Sequence, residues 1–188
     1  MSCAYEIVSL VERTPAWWAW RQGGVGSSDA PTILGAKPAK SVERLLLEKL
    51  NPPKQSGRSF ARERSAALER RARADYCRAV GLPLEPTCVQ SLARPWQRAS
   101  LDGLSADGGR VVEIKCGPAT YQSVAARQRP PLHHLAQLQH ILAVTGLPAI
   151  DYWCYWPDHP PLRLEVKRDE GMVERLVVAE EAFWKRFS

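Results

Sequence analysis

Ser100-Leu-Asp-Gly-Leu-Ser-Ala-Asp-Gly-Gly-Arg-Val-Val-Glu-Ile-Lys-Cys116 is the most informative segment of this 188-residue chain. Asp107-Gly108 between two apolar runs signals a β-hairpin with a two-residue loop that needs positive φ. With those two residues as the loop, Ala106 pairs with Gly109, Leu104 with Val111, and Asp102 falls opposite Glu113. Directly opposed residues share a face with Cβ atoms roughly 5 Å apart. Lys115, two residues beyond Glu113, projects from that same face. Two carboxylates so close repel unless a cation lies between them, and oxygen-only donors suit Mg²⁺ or Mn²⁺ rather than zinc. A bulge would shift this register. The plainer alternative is an ion cluster on an exposed hairpin.

The tripeptide Glu-x-Lys alone carries little weight: with 13 Glu and 7 Lys, about half of one is expected by chance. A second copy, Glu165-Val166-Lys167, also sits on a strand-like run. No carboxylate faces it through a tight turn, so it reads as a solvated strand face.

Outward from the hairpin, the chain alternates helical and strand patterns. Thr14-Pro15 marks a helix start, and the helix carrying Trp17, Trp18 and Trp20 stops at Gly23-Gly24. Ser27-Ser28-Asp29 offers a second N-cap for a helix toward Leu34-Gly35, and a third helix covers about Val42 to Leu50, ended by Asn51-Pro52-Pro53. Ser59 to Val80 reads as one long helix closed by Gly81; from Arg58 to Arg78 the chain has seven arginines against three acids. Apolar runs at 84–90, 99–104 and 110–116 predict strands, as do Ile150 to Trp156 and Leu162 to Val166. Leu135, Leu138 and Leu142 mark one face of a helix ending at Gly146, and a last helix spans about Glu170 to Phe187. Helices flanking a small central sheet imply an α/β class.

Composition narrows the partners. Forty-five per cent hydrophobic content suits a globular chain, and 188 residues suffice for one domain, 1–188, with its own core. No apolar run approaches the roughly 20 residues of a membrane span, so no membrane partner is expected. The start, Met1 to Ile7, lacks the basic and long apolar regions of a signal peptide, which makes the cytoplasm the expected compartment. Five scattered cysteines (Cys3, Cys77, Cys88, Cys116, Cys154) without a C-x-x-C pair suit free thiols and argue against a zinc ribbon. The net charge of +6 rests on 19 Arg against 7 Lys, and arginine forks match phosphate oxygens.

Asp102, about ten residues, then Glu113-Ile-Lys115 resembles the PD-(D/E)xK nuclease signature. Trp20-Arg21 with Gly24-Val-Gly-Ser-Ser-Asp-Ala30 and Ile33-Leu-Gly35 is similar to the N-terminal motif of the lambda-exonuclease and YqaJ-like family of phage recombination exonucleases. Leu68-Glu69 with Arg73 and Tyr76 resembles its helical glutamate motif. Ser100-Leu-Asp-Gly-Leu104 and Val112-Glu-Ile-Lys-Cys116 resemble its two core-strand motifs, and Ala136-Gln-Leu-Gln139 with Val144-Thr-Gly146 its Gln-containing helix. The matches run in family order over residues 17 to about 156. Two positions depart: Ser65 replaces a glycine before the helical glutamate, and His134 stands where members often carry Tyr.

The resemblance implies a restriction-endonuclease-like PD-(D/E)xK core, with a mixed sheet flanked by helices. It implies a Mg²⁺-dependent deoxyribonuclease, Mn²⁺ substituting, with two ions per site. Asp102, Glu113 and the backbone carbonyl of Ile114 would hold metal, with Glu69 in support directly or through water. Lys115 would orient or deprotonate the attacking water and Gln137 would position Lys115 or that water, while Gln139, nearer the apolar stripe, would be structural. Arg21 and Ser28 would grip a terminal 5′-phosphate; the plainer roles are a surface salt bridge and an N-cap. His134 is a further candidate for hydrogen bonding to phosphate or water. The tryptophans read as core, with base stacking as the alternative. The implied activity is 5′→3′ digestion of one strand of double-stranded DNA from 5′-phosphorylated ends, leaving 3′ overhangs for single-strand annealing. A ring-shaped homotrimer, an annealing recombinase partner, and phage or prophage origin in a bacterial host also follow by analogy. The competing expectations are a related endonuclease or repair nuclease, a catalytically dead DNA-binding module, and a basic globular domain with no nuclease role.

Overall fold

The structure, a computed structural model, describes residues 4–37, 39–51 and 60–187. The chain opens with β1 (Tyr5–Val8), α1 (Pro15–Gln22), β2 (Val25–Gly26), α2 (Ala30–Ile33), α3 (Val42–Leu50) and the long α4 (Phe60–Val80). It continues through β3 (Leu84–Ser91), β4 (Gln97–Ser105), β5 (Val111–Cys116), α5 (Pro118–Arg127) and α6 (Leu132–Thr145). It closes with β6 (Ala149–Tyr155), β7 (Leu162–Lys167) and α7 (Glu170–Phe187).

Local signals explain several boundaries. Thr14 Oγ1 accepts the Trp17 N–H at 3.3 Å, and Pro15 opens α1; the missing proline N–H is one that no helix start can satisfy. Gly146 ends α6 in the left-handed region at φ +71, a conformation glycine adopts without steric penalty. Ser59, Pro52, Pro53 and Cys3 lie outside the described residues. The four described cysteines are free thiols.

The sheet runs β1-β3-β4-β5-β6-β7, with β2 beside β4. The β5–β6 and β2–β4 pairs are parallel and the others antiparallel. The parallel β5–β6 pair needs a crossover, which α5 and α6 supply. On one face α4 lays Ala72 and Tyr76 against Leu84, Val112, Ile114 and Trp153. A second core joins Leu138, Ile141 and Leu142 of α6 to Val111, Ile150 and Tyr152. Val25, Leu45 and Phe183 form a third cluster. Each large apolar side chain so buried contributes roughly 1.5–3 kcal/mol. Among the described residues, no helix is long and apolar enough to cross a membrane.

The hairpin has the expected register with a different loop. Leu104 pairs with Val111 and Gly103 with Val112. The turn, however, closes where the Gly108 N–H donates to the Ser105 carbonyl at 2.8 Å and the Ser105 N–H to Arg110 O at 2.9 Å. Of the two turn residues only Gly108 has positive φ, at +70. The loop is therefore 106–109, and the register survives because the longer loop is centred on the same pair. Asp107 Oδ1 fastens it, accepting from the Ser105 hydroxyl at 2.6 Å and the Gly109 N–H at 3.0 Å.

A bulge is also present. Leu101 to Leu104 on β4 lies opposite Thr87 to Glu85 on β3, so β4 carries one extra residue there. It falls against β3; toward β5 the expected pairs Leu104–Val111 and Gly103–Val112 hold, and the ladder ends there. Bulges re-aim side chains beside functional sites, and Asp102 sits within this one. Three elements had no sequence signal: β1 is a four-residue edge strand, β2 has two residues, and α5 buries only Val124 and so shows no apolar stripe.

Candidate active site

The last β4–β5 ladder pair is Gly103–Val112. Beyond it Asp102 is no flat cross-strand partner of Glu113: its Oδ2 accepts the Ile114 N–H at 2.7 Å. In an extended strand the N–H and C=O of one residue point the same way, so the Ile114 carbonyl also faces β4. Arg73, one turn after Glu69 on α4, donates to the Asp102 carbonyl at 2.7 Å and ties α4 to this strand.

Glu113 is buried, at 3% exposure. Its Oε1 accepts from Lys115 Nζ at 2.7 Å and from Gln137 Nε2 at 2.6 Å. Lys115 Nζ also donates to Gln137 Oε1 at 3.0 Å, which closes a three-membered network between β5 and α6. Glu113 Oε2 is buried and has no partner among the described residues. An orphaned buried carboxylate oxygen costs about 1–3 kcal/mol or more unless something binds it.

Burial, then the Glu113 charge, pushes the Asp102 carboxyl well above the usual range. Burial and the neighbouring Glu12 raise Glu69. Burial opposes the Lys115 ammonium, but Glu113 and Asp102 outweigh it and the net shift is upward. Negative charge is thus crowded here, and a hard divalent cation would relieve it through these oxygen donors. Among the described residues no three His, Cys, Asp or Glu side chains converge on one metal position. Asp102, the orphaned oxygen of Glu113 and the Ile114 carbonyl are the oxygens gathered at this end of the hairpin, and Glu69 does not complete a three-carboxylate cluster. Its Oε2 instead receives Arg13 Nη2 at 3.3 Å.

A cavity of about 150 Å³ joins Asp102, Glu113, Gln137 and Glu69 to Arg21 and Ser28. Arg21 Nη2 donates to the Ser28 hydroxyl at 2.7 Å, and its guanidinium lies 4.5 Å from the Trp17 ring centroid. The plainer alternative for Arg21, a surface salt bridge, is not seen: it has no carboxylate partner among the described residues. Ser28 is no N-cap either: that position belongs to Asp29, and α2 is a four-residue turn. A helix N-terminus therefore contributes little to anion binding here, and the Arg21 fork and the Ser28 hydroxyl are the available donors.

Glu12, Arg13, Trp17, Ser27 and Ser100 also line the cavity. Ser100 was discoverable, because it lies two residues before Asp102 on one strand. It accepts from Trp17 Nε1 at 2.7 Å. Nothing in the sequence flags Arg13. Trp17 is buried, whereas Trp18 is 43% exposed. His134 is not among the lining residues; its Nδ1 meets the Tyr152 hydroxyl at 2.6 Å, and burial pushes its ring down to about 3, which keeps it neutral. Gln139 is structural as expected, bonding Lys167 O at 2.8 Å and the Asp169 N–H at 2.9 Å. Glu165 and Lys167 are exposed on β7.

Comparison with known proteins places this architecture. The family model for YqaJ-like viral recombinase domains matches residues 16–148. The alkaline exonuclease LHK-Exo from Laribacter hongkongensis is 22% identical, covers 93% of this chain and 92% of its own, and superposes with a TM-score of 0.78. Its complex with dAMP is 24% identical over the same shares, also at 0.78. A phage-related exonuclease from Haemophilus somnus 129PT is 11% identical over 85% of this chain and 93% of its own, at 0.62. No curated protein matches the chain. The shared fold is the PD-(D/E)xK type, a mixed, mostly antiparallel sheet flanked by helices. With the family model spanning most of its length, the chain belongs to the family of YqaJ-like viral recombinase domains.

Proposed function

We propose that this chain is a metal-dependent deoxyribonuclease that digests one strand of linear duplex DNA 5′→3′ from 5′-phosphorylated ends. The observation that carries this reading is the single cavity joining the Asp102–Glu113 carboxylates to the Arg21–Ser28 pair. Hydrolysis on the 3′-oxygen side of a phosphate leaves that phosphate on the shortened strand. Each turnover then regenerates the group that Arg21 and Ser28 would hold. Asp102, Glu113 and the Ile114 carbonyl would ligate Mg²⁺, or Mn²⁺ in its place, with Glu69 acting through water. Such a cation lowers the pKa of bound water and offsets charge growing on the phosphate.

Lys115 is held by Glu113 and Gln137. The surrounding carboxylates favour its ammonium form, which suits orienting the attacking water and countering charge at phosphorus. Gln137 fixes both partners at once. By family analogy the site takes two ions and residues 1–188 form one nuclease domain. The same analogy gives a ring-shaped homotrimer that leaves 3′ overhangs for an annealing recombinase in the bacterial cytoplasm. The test is Mg²⁺-supported degradation of linear duplexes bearing a 5′-phosphate or a 5′-hydroxyl, beside a closed circle. Preferential loss of the phosphorylated linear DNA is expected; cutting of the circle would replace the exonuclease with an endonuclease.

A further inference from the structure

Lys49, on α3, is buried at 9% exposure and lies outside the cavity. An ammonium carries three N–H donors, and three oxygens surround this one: it donates to the carbonyls of Arg21 at 2.9 Å and Gly24 at 2.7 Å, and it pairs with Asp29 Oδ2 at 2.8 Å. Asp29 Oδ2 accepts the Gly26 N–H as well, at 2.9 Å. From the other side the Gln22 amide donates to the carbonyls of Glu48 and Lys49. Gly24 has no slack, since a Cβ there would stand 2.6 Å from Arg98 Cδ and 2.7 Å from Trp96 O. The segment from Arg21 to Asp29 is thus fastened at both ends and in the middle.

A buried ion pair adds little net stability compared with apolar residues of the same volume, because both charges lose water. What it supplies is one permitted geometry. The segment it fixes presents the Arg21 guanidinium and the Ser28 hydroxyl 2.7 Å apart, both facing the cavity. Resting on the proposed 5′-phosphate grip, we infer that Lys49 is a positioning residue for terminal-phosphate recognition, holding Arg21 and Ser28 in place through the Arg21 and Gly24 carbonyls and Asp29. Lysine is required rather than arginine, because three acceptors converge on one point and a planar fork does not match them.

The test compares wild type, Lys49→Met, the double variant Lys49→Met/Asp29→Asn and Arg21→Gln. Each is assayed for Mg²⁺-supported degradation of 5′-phosphoryl and 5′-hydroxyl linear duplexes. Lys49→Met strands a half-buried Asp29 carboxylate, and the double variant removes both charges, so its thermal midpoint returns toward wild type. In both variants KM for the phosphorylated duplex is expected to rise and the preference over the hydroxyl end to fall by about tenfold, as when a charge-assisted hydrogen bond is lost. The kcat on the hydroxyl duplex stays near wild type. A folded double variant with wild-type preference overturns the assignment, as does failure of both variants to fold, since Lys49 then serves the fold alone. If Arg21→Gln itself keeps the preference, the 5′-phosphate grip fails; if Arg21→Gln loses it and the double variant keeps it, only the role of Lys49 fails.

Discussion

Gln137 and Glu113 are joined at 2.6 Å across the space between α6 and β5, amide nitrogen to carboxylate oxygen. Because the same amide accepts from Lys115 through its own oxygen, Gln137 braces the direct 2.7 Å contact between the two charged groups. The other oxygen of Glu113 is buried without a hydrogen-bond partner among the described residues.

Replacing Gln137 by Leu removes both bonds while leaving the Glu113–Lys115 contact. Groups that orient metal ligands typically contribute about 10–100-fold, so DNA cleavage should fall by that factor with the fold intact. Initial rates and circular dichroism measure the two parts; an unchanged rate removes Gln137 from the site.

Chelation should abolish cleavage, and added Mg²⁺ should raise the thermal midpoint, because a cation bound only by the folded state stabilises it by mass action. Asp102→Asn should blunt that rise. An equal Mg²⁺ shift in wild type and variant would put the ion elsewhere.

Gly103 has Val112 Cγ1 only 2.9 Å and Leu84 Cβ 3.0 Å from where a Cβ would stand. Gly103→Ala forces packed side chains apart, and such overpacking costs about 1–3 kcal/mol. Denaturant titration should show a lower midpoint; wild-type stability would mean that the β4 bulge yields freely.

His140 and Glu180 are both fully buried and meet at 2.6 Å, while Gln97 donates to the other Glu180 oxygen at 2.6 Å. Burial opposes a charged His140 ring, but the Glu180 charge and hydrogen bond prevail and raise it above 6.5. A raised pKa means the folded state holds a proton that the unfolded state releases, so this contribution is complete below 6.5 and lost as pH rises through the folded value. Thermal melts across that window should show a falling midpoint. Glu180→Gln should flatten the slope and destabilise the protein by about 3–5 kcal/mol; an unaltered slope would assign the pH dependence to other groups.

Much of this arrangement was legible in the residues. Asp107-Gly108 fixed the pairing of Leu104 with Val111 even though the loop proved longer, since turn chemistry sets where the hairpin is centred. Lys115 followed from strand periodicity, and Gln137 from the motif that Ala136-Gln-Leu-Gln139 resembles. Arg13 and Lys49 were not legible. Arg13 reaches Glu69 from 56 positions away, and Lys49 looks like any lysine near a helix end until α3 is packed against the Arg21–Asp29 segment. Such long-range convergence is set by tertiary packing and leaves no local pattern. The Arg21–Ser28 pair came from the motif resemblance, and the two side chains do meet at 2.7 Å, while the alternative of Ser28 as an N-cap is not seen.

The most direct test of the catalytic hairpin is Lys115→Ala beside wild type on a 5′-phosphorylated linear duplex with Mg²⁺. General acid–base and water-positioning groups contribute about 10²–10⁴-fold, so cleavage should fall at least that far while duplex binding, read by gel shift, stays close to wild type. Wild-type cleavage by Lys115→Ala would contradict the Asp102–Glu113–Lys115 site.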